Sequence, residues 1–464
     1  MKIHFFGAAR TTTGSMYLLE VNGQRLLLEC GLFQGHREET TQRNCTFPFD
    51  PRQIDAVVLS HAHIDHAGNL PNLVKQGYAG PIHCTEATLD LCAIMLIDSA
   101  HIQEQDALFV SKWRAKKHQP PVEPLYRLPD AEHAVNQLVG HGYEKTFSPV
   151  AGVSVTFRDA GHILGSAQVI LDVQENGRKF RWLFSGDVGR GGDELLRDPL
   201  PVENVDYLQI ESTYANREHA VRIDADAIVG RLVGETLAQR GKVIIPAFSV
   251  GRTQQIVYVL HELTCAGKLP RVPIFVDSPL SSKASGVYEK NRAILRPDLS
   301  AALCDGDSPF MMGNLTYITG AEESKKLNDH HEPMVIISAS GMAEAGRIRH
   351  HLKNNITDAK NLLLFIGYCA EGTLGNQITA GKSPVSIFGD PYPVRAQVVS
   401  LDTYSGHADK HELKHYVQQL TGNLRRVFCI HGEETQCLAH AETLRVLKPS
   451  AQVLVPEYKQ VVEL

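Results

Sequence analysis

His61-Ala-His63-Ile-Asp65-His66 places four metal-competent side chains within six residues. Imidazole nitrogens and carboxylate oxygens are ligands for zinc and similar divalent ions. The run follows Asp55-Ala-Val-Val-Leu-Ser60, a short apolar segment that reads as a strand. A loop leaving that strand can aim His61 and His63 at one ion, while Asp65 and His66, past the turn, can face a second. The ordinary alternative is a solvated loop that happens to be rich in histidine. The density disfavours it, because buried polar groups need partners and a shared metal is the simplest one.

Other candidates repeat one placement, a His, Asp or Glu at or just beyond the end of an expected strand. Glu29 ends Leu26-Leu-Leu28, and His162 follows the strand through Phe157, in Ala160-Gly-His-Ile-Leu-Gly165. Asp187 follows Leu183-Phe-Ser-Gly186, and Glu211 follows Leu208-Gln-Ile210. His407 lies in Ser405-Gly-His-Ala-Asp409, and His431 follows Val427-Phe-Cys-Ile430. The carboxyl edge of an open α/β sheet is where sites form. Each residue alone reads as an ordinary turn residue or helix cap. Together with the 61–66 cluster they read as one site assembled from distant segments.

The elements that must position them fall into two styles. Met16–Val21 and Gln24–Glu29 flank Asn22-Gly23, a strong hairpin signal. Residues 84–118 are helical in pattern and stop at Pro120-Pro121. Short strands at 153–157, 169–173, 181–185 and 205–210 complete this first part. From about 213 four strand–loop–helix units follow one another, with strands at 243–247, 274–277, 334–338 and 362–366. That order implies a parallel, doubly wound sheet. Strands at 396–400 and 426–430 are expected to return to the first style. The simplest account is a Rossmann-like unit inserted into another α/β domain: 1–212 and 392–464 form one domain and 213–391 the insert.

The HxHxDH run, Gly-His162, Ser-Gly-Asp187 and a late His resemble the metallo-β-lactamase superfamily. The inserted unit, Glu211-Ser-Thr-Tyr214, Ser405-Gly-His407-Ala-Asp409 and Ile430-His431-Gly-Glu433 resemble its β-CASP branch of nucleases. The resemblance spans nearly the whole chain. It implies an αββα four-layer sandwich with an inserted Rossmann-like β-CASP domain, two Zn²⁺ per chain, and hydrolysis of RNA phosphodiesters. By resemblance His61, His63 and His162 bind one zinc, Asp65, His66 and His431 the other, and Asp187 bridges them. A bridging hydroxide is then the nucleophile, since metal coordination brings the pKa of water to about 7. His407 is the implied general acid, held by Glu211. Within the branch, a His at the position of His431 goes with RNA and a Val with DNA. One residue departs from the pattern: the family's usual Asp, which supports the ligands from behind, is Glu29 here.

Three loops precede helices in the insert, and backbone N–H groups at helix N-termini bind anions. Ser249, Arg252, Ser340 and Arg347, with Ser405 and Gly406 ahead of His407, are therefore candidate RNA-phosphate contacts, as is the 367–375 loop. Gly375–Ser383 imitates a nucleotide-binding loop, but five residues rather than four separate its glycines and Pro384 blocks the helix. The basic run at 112–117 reads as a solvated helix face. His330-His331 and His350-His351 read as surface pairs.

Composition bounds the rest. The chain has 464 residues, a formal charge of −6 and 43% apolar content. The acidic balance excludes binding nucleic acid by charge alone. No apolar run spans a membrane. Nine cysteines, an odd number with no C-x-x-C pair, argue against a disulfide framework and for free thiols in the cytoplasm. Homodimerisation and the choice between internal and 5′-end cleavage are left open. Two other readings compete: a hydrolase of a small ester, thioester or lactam, and a non-catalytic RNA-binding scaffold. The inserted domain disfavours the former, and the complete ligand set the latter.

Overall fold

The computed structural model describes residues 1–35, 37–219, 225–300, 308–367 and 369–464. It divides into two compact units. The first comprises 1–191, 197–218 and 407–464, and the second 192–196 and 219–406.

The first unit is a sandwich of two seven-stranded sheets. One runs in the spatial order Val461–Glu463, Lys2–Phe5, Tyr17–Val21, Gln24–Leu28, Ala56–Val58, Ile82–Thr85, Leu138–His141. The other runs Gln452–Leu454, Arg426–Ile430, Tyr207–Glu211, Arg178–Phe184, Ala167–Glu175, Val153–Asp159, Thr146–Val150. Strand alternation builds both faces of the second sheet. Trp182, Phe184, Phe428 and Ile430 point inward and pack with Ile3, Phe5, Tyr17 and Val58 of the facing sheet. Their neighbours Leu183, Val427 and Cys429 point outward, onto Leu413 and Val417 of helix Lys410–Gln419 and Ala441 and Leu444 of helix Glu434–Leu447. Helix Glu86–Ala115 packs on the outer strands of the first sheet. Its N-terminus is capped by Thr85, which accepts from Thr88 N at 3.1 Å. This is the αββα sandwich the family resemblance implies. At Asn22-Gly23 both residues take positive φ, 50° and 75°, as the tight hairpin requires.

The second unit is built on a six-stranded, all-parallel sheet in the order Leu315–Tyr317, Ile274–Val276, Val335–Ser338, Val243–Pro246, Leu362–Ile366, Gln397–Leu401. The four strands read from sequence form its centre. The strand at 397–401 corrects the expectation that the chain has returned to the first domain by 392, because it pairs in parallel with Leu362–Ile366. As an edge strand it is only half covered. Polar Gln397 and Ser400 interrupt its apolar residues, so it lacks the continuous apolar run of a central parallel strand. The edge strand Leu315–Tyr317 has too few residues to be read from pattern.

Candidate metal centre

Three parallel neighbours, Arg178–Phe184, Tyr207–Glu211 and Arg426–Ile430, bring Asp187, Glu211 and His431 to one sheet edge. The loop after Val153–Asp159 carries His162, and the facing sheet supplies Glu29 and the 61–66 run. All lie in the first unit.

The structure brings the sequence-derived residues together. Ring nitrogens of His61 and His63, and of His63 and His162, lie 3.1 Å apart. Asp187 Oδ2 sits 3.4 Å from His61 Nε2 and 3.5 Å from His162 Nε2. A second group gathers beside it. His66 Nε2 and His431 Nε2 are 3.1 Å apart, and Asp65 Oδ2 is 3.5 Å from His431 Nε2. Asp187 Oδ2 also lies 3.4 Å from His66 Nε2, and Oδ1 3.3 Å from His431 Nδ1. Asp187 thus stands between two donor sets.

These spacings fit metal. Nitrogens around zinc at roughly 2.0–2.1 Å stand about 3.3 Å apart on a tetrahedron. Between two imidazole nitrogens at 3.1 Å at most one proton fits, so a cluster of them is poorly satisfied without a cation. Asp187 is 2% exposed, and no hydrogen bond satisfies its buried Oδ1. Such an orphan acceptor calls for a positive partner. Asp65 is held well below the ordinary carboxylate range: burial opposes its charge, but His66 and His431 outweigh burial.

The support behind the ligands is equally specific. Glu29 is fully buried. It accepts from Ser60 N at 2.5 Å and Ser60 Oγ at 3.0 Å, and lies 2.5 Å from His66 Nδ1. Ser60 Oγ also reaches His61 Nδ1 at 3.0 Å. Both histidines therefore turn Nε2 toward the site, the usual way a ligating ring is oriented. Sequence reading missed Ser60, whose only signal is its place one residue before His61. It also missed Thr213, whose Oγ1 lies 3.1 Å from His431 Nδ1. Glu29 and His431 adopt φ of 63° and 50°, a left-handed backbone that costs a non-glycine residue on the order of 1 kcal/mol. Gly31 permits the tight approach: a Cβ there would lie 1.6 Å from the Asp65 carbonyl oxygen.

His407 stands beside the donors. Its Nδ1 is 3.2 Å from Glu211 Oε1 and 3.9 Å from Asp187 Oδ2. Glu211 is buried and accepts from Val188 N at 2.8 Å and Thr213 N at 3.1 Å. Val188 O in turn accepts from Ala408 N at 2.8 Å, so one residue links the Asp187, Glu211 and His407 loops. Burial acts to lower the His407 pKa, but the carboxylates of Glu211, foremost, and of Asp187 and Asp65 more than offset it and raise it to about 9.

The second unit holds further candidates and corrects one expectation. Arg252 is buried, and its guanidinium donates to Gln255 Oε1 and to Tyr404 O. Arg347 donates to Asp277 Oδ1 at 2.7 Å, Ile318 O at 3.1 Å and Thr319 O at 2.6 Å. Both guanidiniums are bound by the protein's own acceptors. His351 is no surface residue: it is fully buried, with Nε2 2.6 Å from Asp277 Oδ2. Ser249 and Ser340 lie in half-buried turns, and Ser405 and Gly406 end the second unit. Tyr368 of the third loop lies outside the described residues. Among the described residues Cys30, Cys45, Cys84, Cys92, Cys369, Cys429 and Cys437 are free thiols. Among the described residues no helix is long and apolar enough to cross a membrane.

A sandwich with this donor set at its strand ends defines a metallo-hydrolase class, and comparison with known proteins agrees. Residues 9–230 match the metallo-β-lactamase superfamily, 253–378 the Beta-Casp domain, and 391–456 the zinc-dependent metallo-hydrolase RNA specificity domain. The chain is 37% identical over 444 residues to Ribonuclease TTHA0252 of Thermus thermophilus, covering 96% of both chains. It is 30% identical over 456 residues to Transcription termination factor FttA of Methanocaldococcus jannaschii, covering 96% of this chain and 69% of that one. A crystal structure of a protein of unknown function from Enterococcus faecalis shares the fold, with TM-score 0.57 and 14% identity over 99% of each chain. The chain belongs to the β-CASP family of zinc-dependent metallo-hydrolases within the metallo-β-lactamase superfamily.

Proposed function

We propose that this protein is a ribonuclease that holds two zinc ions and hydrolyses RNA phosphodiester bonds, releasing a 3′-hydroxyl and a 5′-phosphate. The observation that carries the reading is the convergence of His61, His63, His162, Asp65, His66 and His431 on Asp187, with His407 held beside them by Glu211. Its relatives in the family support RNA as the substrate.

In this reading His61, His63 and His162 hold one ion, Asp65, His66 and His431 the other, and Asp187 is shared. Bound zinc supplies Lewis acidity and makes water acidic enough to react near neutral pH. Glu29 and Ser60 keep the His66 and His61 rings turned to the site. Glu211 accepts the Nδ1 proton of His407, which leaves the Nε2 proton as the one to transfer. The Glu211 carboxylate beside it favours the protonated ring, and His407 gives that proton to the departing 3′-oxygen. Glu211, anchored by Val188 and Thr213, prevents the ring from turning.

The test is incubation with 5′- and 3′-end-labelled RNA, with zinc and with chelator, alongside metal analysis. Cleavage that needs zinc, with about two ions per chain by the two-metal logic, is expected. Absence of metal, or DNA cut as readily as RNA, overturns the reading. The labelled ends also separate internal cleavage from stepwise removal at the 5′ end.

A further inference from the structure

Helix Glu86–Ala115 runs 30 residues, and its C-terminal half carries large apolar side chains in the open. Phe109 is 75% exposed and Trp113 54%. They stand four residues apart, hence on one face of the helix. Lys112 and Lys116, also exposed, flank them one turn apart on the same side. Lys117 Nζ lies 3.8 Å from the Trp113 ring centroid, within cation–π range. No acidic residue occurs between 107 and 122, whereas Lys112, Arg114, Lys116 and Lys117 do, so this stretch is locally cationic in a chain of net charge −6. A merely solvated helix face has no use for two exposed aromatic rings.

We propose that Phe109, Trp113, Lys112 and Lys116 form an accessory binding site for single-stranded RNA, separate from the metal centre. Aromatic faces stack bases and flanking lysines meet phosphates, which is how sequence-tolerant single-strand sites are built. The partner's class follows from charge complementarity and from the proposed substrate, so the inference rests on the ribonuclease reading. Helix geometry fixes the spacing. Thr88, near the helix start, donates to the Gly165 carbonyl at 2.9 Å, in the loop that carries His162. Trp113 lies 25 residues further along the same helix, or about 37 Å at 1.5 Å per residue. At roughly 3.4 Å per stacked nucleotide that is about 11 nucleotides. A short oligomer cannot reach from the metal centre to Trp113, whereas one of roughly 20 nucleotides can.

Trp113→Ala and the double variant Lys112→Gln, Lys116→Gln separate the possibilities, because all three side chains are exposed and their loss leaves the core intact. With the zinc-loaded protein, turnover of an oligomer of about 5 nucleotides should be unchanged. For RNA of about 20 nucleotides, KM should rise about tenfold at unchanged kcat. Binding of that RNA in a His407→Ala background, read by anisotropy, should weaken equally. The lysine variant should also lower the slope of log affinity against log salt by about 1.4. Weaker binding in the variants without cleavage by any form sustains this site and sinks the ribonuclease reading. Cleavage with RNA binding indifferent to both variants overturns the site. So does an effect confined to self-association or to binding of anionic lipid vesicles, which would make the patch a protein or membrane contact.

Discussion

Glu29 Oε2 lies 2.5 Å from His66 Nδ1, and the same carboxylate takes both the N–H and the hydroxyl of Ser60. The family's usual residue here is one methylene shorter. In this chain the left-handed backbone at Glu29, φ 63°, accompanies the longer side chain. All three hydrogen bonds are made in a fully buried setting.

Glu29→Gln removes the charge that holds His66 and leaves an amide facing its ring nitrogen. Zinc affinity, measured by competition with a chelating dye, should fall roughly 10–100-fold. Glu29→Asp should change activity only modestly. A large gain would mean that the natural residue impairs the enzyme, and unchanged affinity in Glu29→Gln would mean that the carboxylate does not support the metal.

His407→Ala should retain metal and lose about 10²–10⁴-fold in cleavage of RNA. The His407 pKa is raised to about 9, so the protonated acid persists at neutral pH and is lost as pH rises through that value. The rate should therefore decline on the alkaline side. Glu211→Gln removes the stabilising charge and should move that decline to lower pH. A pH–rate profile identical in the two enzymes would remove Glu211 from this role.

Asp277 is buried under three partners: His351 Nε2 at 2.6 Å, Arg347 Nη1 at 2.7 Å and Ser324 Oγ at 2.5 Å. Burial acts to raise its pKa, but these hydrogen bonds win and lower it. A depressed carboxyl contributes stability above its unfolded pKa and loses it as pH falls through the folded one. The second unit should therefore weaken only in acid, below about pH 4. Asp277→Ala leaves a buried histidine and a half-buried guanidinium without their anion and should cost about 3 kcal/mol at neutral pH, read by chemical denaturation. A loss under about 0.5 kcal/mol, the size of an ordinary surface change, would show the network to be dispensable.

Arg252 fastens its helix to the Tyr404 carbonyl, at 2.7 Å and three residues ahead of His407 in the chain. Arg252→Ala should lower kcat and leave the salt dependence of RNA binding alone. A salt slope reduced by roughly 0.7, the value for one lost phosphate contact on a single strand, would instead make Arg252 a phosphate clamp.

Much of the site was legible because metal chemistry demands particular side chains at short spacing. His61 to His66 announce themselves locally, and Asp187, Glu211 and His431 each follow a recognisable strand. The surroundings of Arg252, Arg347 and His351 were not legible. An Arg or His next to a turn has the same spacing whether it faces solvent or a buried acceptor: Tyr404 lies 152 residues after Arg252, and Asp277 lies 70 residues before Arg347. Edge strands were also hidden. Gln397–Leu401 mixes polar and apolar residues, as a half-covered strand does, and pattern does not name the partner.

The sequence alone determined which side chains could bind metal, the hairpin at Asn22-Gly23, and the order of strands and helices, since these depend on residue type and near neighbours. Only the tertiary structure decided that Asp187 stands between two donor sets, that Ser60 and Glu29 orient the rings, and that Phe109 and Trp113 face outward. Each of these depends on the distance or exposure of side chains brought together by strand pairing and packing. Residues 29 and 66, or 211 and 407, become neighbours only through strand pairing and loop packing, and linear spacing carries no record of that.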